Sequence, residues 1–244
     1  MKSKKITRII SLFLCFCLLT GIVAVAKAEN IGGDSQDIIT DILEFKQTQS
    51  NTKNTQEFID NELVAKAGTG AEWYVIGLCQ NGSYNFSAYR VALENYVSNN
   101  EISSASSRLK LALCLMAVDG SEDMISELVE DSIGQQGIMS LVFGLHVINN
   151  GYVSENFTAG TLKSSLLELQ HEDGGWSITG QYGDVDVTSM TIQALAPFYS
   201  EEEIKNSIDR ALVFLSERQL DNGGFGSIDG ACSESCAQVV VALT

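Results

Sequence analysis

Apolar residues recur every three to four positions along most of this chain, the spacing of helices that bury one face. The pattern predicts helices over residues 35–48, 55–67, 70–80, 86–98, 104–118, 122–131, 137–149, 156–170, 186–198, 201–219 and 234–244. No stretch shows the period-two alternation of a half-buried strand. Pro197 is the single proline among 244 residues. Proline costs about 3 kcal/mol inside a helix, so its scarcity fits long helices. Thr69-x-x-Glu72 and Ser200-x-x-Glu203 have the form of capping boxes, in which side chains satisfy free N–H groups at a helix start. Asn149-Asn150-Gly151 and Asp119-Gly120 read as stops.

Two kinds of helix alternate. One is amphipathic and charged, as in Glu201 to Gln219. The other is apolar nearly all round, as in Leu109 to Val118, Ile138 to Ile148 and Thr191 to Leu195. A helix apolar on every side must be buried, and an amphipathic one can cover it. The expected fold is therefore all-α, a ring or solenoid of hairpins with apolar helices inside and amphipathic helices outside.

A repeat supports this reading. Gln170-His171-Glu172-Asp173-Gly174-Gly175-Trp176 returns 49 residues later as Gln219-Leu220-Asp221-Asn222-Gly223-Gly224-Phe225, a period in the range of helical-pair repeats. The next helix returns too: Asp186-Val187-Thr188-Ser189-Met190 before Ala194-Leu195 matches Glu234-Ser235-Cys236-Ala237-Gln238 before Ala242-Leu243. In physical terms the motif is structural. The glutamine ends an outer helix and can bond N–H groups at the next helix start. Gly174-Gly175 and Gly223-Gly224 permit a left-handed turn, and Trp176 or Phe225 packs over it.

The stretch Arg210-Ala211-x-x-Phe214-Leu215-x-x-x-Gln219-x-x-x-Gly223-x-Phe225 resembles the QW repeat of squalene and oxidosqualene cyclases and of protein prenyltransferase β subunits. Ser165-Leu166-x-x-x-Gln170-x-x-x-Gly174-x-Trp176 is a second copy, and the likeness is tightest over 156–244. It implies an α/α toroid of the terpenoid-cyclase/protein-prenyltransferase superfamily. Asp184-Val185-Asp186-Val187-Thr188 resembles the DxDD acid motif of class II terpene cyclases, which makes Asp186 and Asp184 the candidate acids if the chain is an enzyme. Val187 stands where the last aspartate belongs, and a shared acidic residue more simply complements the helix dipole. The zinc site of the prenyltransferases finds no counterpart: Asp229 and Cys232 are three apart instead of two, His146 lies in an apolar helix and His171 on a turn. No metal is expected. The Gln-x-x-Asp-Gly-Gly-Trp turn is also similar to the α domain of the cobalamin carriers intrinsic factor and transcobalamin, which implies a corrinoid as ligand. Trp73, Tyr74, Gln181 and Tyr182, at inner-helix starts or on turns, are the candidates to line such a site.

The N-terminus alters the charge picture. Lys2, Lys4, Lys5 and Arg8 precede an apolar run from Ile9 to Val25, and Ala26-Lys27-Ala28 supplies small residues for cleavage before Glu29. Residues 1–28 read as a secretory signal peptide, residues 29–34 as a leader and 35–244 as the repeat domain. The mature part keeps ten basic against 31 acidic residues, net −21. Such a surface disfavours nucleic acid, anionic membranes and diphosphates, and no membrane span is expected after cleavage. Cys79, Cys114, Cys232 and Cys236 remain; export permits disulfides, while Cys79 and Cys114 lie in apolar runs that suit buried thiols.

The expected function is an exported noncatalytic ligand-binding or surface module whose partner is a neutral bulky molecule, a corrinoid among them, or a cell-surface protein. An isoprenoid cyclase or transferase and a structural surface repeat are the alternatives. Val239 to Thr244 ends within an apolar helix, and about five hairpins compare with the six or seven that the toroid resemblance implies. A longer protein is thus expected, with the 29–244 segment alone binding weakly.

Overall fold

The computed structural model describes residues 35–227 and 230–244; the signal-peptide and leader readings, and Asp229, lie outside them. The described chain is all-α, with one two-residue hairpin. Its helices are α1 (Ser35–Ser50), α2 (Thr55–Phe58), α3 (Glu72–Asn81), α4 (Ser87–Asn99), α5 (Ala105–Ala117), α6 (Glu122–Glu130), α7 (Gly137–Asn149), α8 (Ala159–Glu168), α9 (Val185–Leu195), α10 (Glu202–Glu217) and α11 (Ser233–Ala242). A π turn (Ile59–Leu63) and a 3-10 turn (Val64–Lys66) continue α2. Strands β1 (Gly226–Ser227) and β2 (Gly230–Ala231) pair antiparallel between α10 and α11; two residues are too few to show alternation, so the sequence pattern misses them.

The observed helices fall within three residues of the expected spans, but their caps differ. Ala71, without a side-chain cap, precedes α3. Thr69 turns its hydroxyl back to the Lys66 carbonyl, so Thr69 and Glu72 form no box. Glu201 takes the N-cap of α10 and leaves Ser200 outside. The caps that do form are Asn54, Ser104, Ser121, Thr158, Asp184 and Cys232, and Thr158 with Thr161 makes a reciprocal box. The stops are as expected: α5 ends before Asp119 (φ +54°) and α7 before Gly151 (φ +105°).

Burial follows the two kinds of helix. In α10, Ile204, Ser207, Ile208, Ala211, Phe214 and Leu215 face inward along one stripe. In α9, eight of the eleven residues are buried. The apolar helices α3, α5, α7, α9 and α11 each pack on the next of that series, and α6, α8 and α10 each cover the α5, α7 or α9 partner adjoining them in sequence. A continuous core from Ile39 to Val239 runs between the two sets. No helix among the described residues is long and apolar enough to cross a membrane.

Candidate functional site

The two Gln-Gly-Gly-aromatic turns close with the same bonds. Gln170 Nε2 donates to the Gly174 carbonyl at 2.7 Å, and Gln219 Nε2 to the Gly223 carbonyl at 2.9 Å. The backbone of His171 exchanges bonds with Gly175 and Gly174, as that of Leu220 does with Gly224 and Gly223. Gly174 and Gly223 take φ of +89° and +80°. Gly175 is needed for a different reason: a Cβ there would lie 2.7 Å from the Gly183 Cα and 2.9 Å from Thr188 Oγ1. Trp176 is fully buried, and its indole N–H donates to the Leu166 carbonyl at 2.7 Å. Trp176 N donates to Thr188 Oγ1 and Phe225 N to Cys236 Sγ, 2.9 and 3.2 Å long. The second cysteine thus stands where the first turn has a threonine.

The glutamine does more than the sequence suggests, and with other partners. Its amide does not meet N–H groups at the next helix start. Gln170 Nε2 also donates to the Ser207 carbonyl at 2.9 Å, and its Oε1 accepts from Ser207 Oγ at 2.9 Å and from Arg210. It therefore ties its own turn to the middle of α10. His171 is half-buried, with Nε2 2.8 Å from Ser177 Oγ.

The two candidate acids separate in role. Asp184 is the N-cap of α9, its Oδ1 accepting from Asp186 N and Val187 N. Asp186 sits in the first turn, where its charge complements the helix dipole without capping. Its Oδ1 is enclosed without a hydrogen-bond partner. Burial, aided by the like charges of Asp184 and Glu234, holds the Asp186 carboxyl above the usual carboxylate range, and a hydrogen bond with Ser235 pulls the other way.

The four candidate ligand-lining residues lie in two places. Trp73 is half-buried, its ring 6.1 Å from that of Phe143 on α7. Tyr74 is buried, edge-on to Phe58. Gln181 and Tyr182 stand exposed on the loop before α9. His146 is on α7, and burial pushes its imidazole down to about 4, so it is neutral at pH 7. All four described cysteines are free; burial pushes the Cys79 thiol up to about 12. Among the described residues no three His, Cys, Asp or Glu side chains are grouped to hold a metal ion.

Two polar clusters escape sequence reasoning. Glu72 is fully buried, with Lys110 Nζ from α5 3.0 Å from its Oε2. Tyr89 and Cys114, linked at 3.8 Å, lie beside it. Nothing in the local pattern marks a glutamate at a helix start as buried. Glu130 accepts from Tyr152 Oη, Ser154 Oγ, Glu155 N and Asn156 Nδ2 at 2.9–3.1 Å. These hydrogen bonds outweigh the effect of burial and hold its carboxyl below the usual range. No family model, curated protein or solved structure matches the chain.

Proposed function

We propose that the chain is an exported, noncatalytic binding or surface module, its hairpins arranged as in the α/α toroids that its QW-like repeats resemble. The observation that carries this reading is the inward use of the repeat motif. Both side-chain polar atoms of Gln170 are spent on neighbouring protein atoms, and Trp176 is fully buried, so the motif builds a scaffold and leaves binding to the surface around it. The net charge of the part after residue 28 disfavours diphosphate substrates but not a neutral bulky ligand. A corrinoid is the first such ligand to test, with Trp73, Tyr74, Gln181 and Tyr182 as lining candidates.

One observation favours a second reading. Asp186, with its raised carboxyl and enclosed oxygen, has the makings of a proton donor for an isoprenoid cyclase. The protein as its host secretes it decides between them. We expect no turnover of squalene, oxidosqualene or prenyl diphosphates, with or without zinc or magnesium, and a calorimetric signal with cobalamin. Product formation that disappears in Asp186→Asn would establish the enzyme. Absence of both turnover and cobalamin binding would leave a surface interaction module.

A further inference from the structure

The chain between Trp176 and Asp184 leaves the helical framework and returns to it. Its two ends are fastened together. Asp173 Oδ1 accepts from Gly175 N at 3.1 Å and Oδ2 from Gly183 N at 2.9 Å. Asp184 N donates to the Trp176 carbonyl at 2.8 Å. Gly175 and Gly183 pack so closely that a Cβ on either would lie 2.7 Å from the other's Cα. Inside the loop, Ser177 Oγ donates to the Thr179 carbonyl, and Gly180 supplies a turn at φ +98°.

This closed loop presents an uncharged and partly apolar surface. Ser177 to Gly183 contains no charged residue. Ile178 and Tyr182, on either side of the Gly180 turn, are 68% and 76% exposed. Large apolar side chains held out by a pinned backbone leave most of their surface open in this fold, and burying it against another molecule would be favourable. The pinning lowers the ordering cost of doing so. At the loop's foot are acids: exposed Glu172, exposed Asp184 and half-buried Asp186, with exposed Glu234 close enough for its charge to act on Asp186. The matching turn in the second repeat keeps the framework bond, Cys232 N to the Phe225 carbonyl, but not the loop sequence. The framework is shared while the tip is individual, as expected where scaffolded loops carry recognition.

We propose that residues 177–183 form a recognition loop for another protein, in which Ile178 and Tyr182 enter an apolar site on a segment rimmed by lysine or arginine. Aromatic and aliphatic anchors at the centre carry most of the energy of such contacts, and the acidic foot of the loop sets orientation and rate. The inference rests on the binding-module reading and narrows it to a partner class.

The test is a phage-displayed random peptide selection on the immobilised protein as its host produces it, followed by fluorescence polarisation of the enriched peptides. We expect them to combine lysine or arginine with a leucine, isoleucine or aromatic residue. Tyr182→Ala and Ile178→Ser should each weaken binding tenfold or more, with helical circular dichroism and Tm unchanged. Val213→Ser, at an exposed apolar position on α10, should not alter it. Affinity should fall as salt rises. Enriched peptides that bind Tyr182→Ala as well as the parent, or a selection that returns no basic-apolar peptides, would overturn the proposal. Cobalamin binding by the unsubstituted protein, measured in parallel, separates the two outcomes: a cobalamin signal while the peptides fail would refute the loop and leave the module reading in place.

Discussion

Replacing Trp176 by alanine is the most direct probe of the scaffold. The indole is fully buried, so the substitution removes a large apolar surface and leaves a cavity. For aromatic residues in cores this costs about 3–5 kcal/mol. The lost indole N–H bond to the Leu166 carbonyl adds a penalty of about 1 kcal/mol. Trp176→Phe separates the parts, because it keeps most of the ring and removes the bond; about 1–2 kcal/mol is expected. Urea denaturation followed by far-ultraviolet circular dichroism gives both numbers, and Trp73 remains as an independent fluorescence reporter. In a thermal melt the alanine variant should fall by roughly 8–24 °C, at about 2–4 °C per kcal/mol for a chain of this size. A loss below about 1 kcal/mol for Trp176→Ala would mean that the turn is not a packing centre, and the structural role given to the motif would fail.

Other substitutions test the electrostatics. Asp184→Ala removes the α9 cap and should cost about 1 kcal/mol, whereas Asp186→Asn should stabilise at pH 7. A carboxyl raised in the folded state destabilises it once ionised, so this gain should fade as pH falls through the range between its raised value and 3.8. A lower Tm for Asp186→Asn at neutral pH would contradict the assigned burial. His146 works in the opposite direction: an imidazole lowered from 6.5 to about 4 resists protonation, so stability should drop as pH falls from 6.5 towards 4, by at most about 3 kcal/mol. His146→Gln should flatten that part of the pH–stability profile, and an unchanged slope would show the ring to be solvated.

The helices were legible in the sequence because their signal is cumulative. In α10 the residues from Ile204 to Leu215 repeat the same inward stripe over several turns, and in α7 nearly every position is apolar. Caps rest on one or two residues and were less legible. Thr69 and Ser200 had the right side chains, but neighbouring backbone took the N-cap position. The repeat turn was readable in its glycines and aromatics, since a left-handed φ and a buried ring leave clear residue preferences. The long-range partners of Gln170 were not readable, because Ser207 and Arg210 lie 37 and 40 residues away. The buried Glu72–Lys110 pair is hidden for the same reason: it depends on which faces of α3 and α5 meet. Of the candidate site residues, local spacing put Trp73 and Tyr74 on one helix start and Gln181 and Tyr182 on one loop, but it could not say that Tyr74 is enclosed and Tyr182 open.

Gln170 has a mechanical meaning. One amide clasps the Gly174 carbonyl of its own turn and the Ser207 carbonyl of α10, so it belongs to two successive hairpins at once. In an array stabilised only by stacking, a terminal hairpin can peel away at the energy of its own interface. A side-chain strap inside that interface raises the cost of separating the units relative to opening either one. The pair α8–α9 and the helix α10 are therefore joined into a single cooperative block, which should open as one unit.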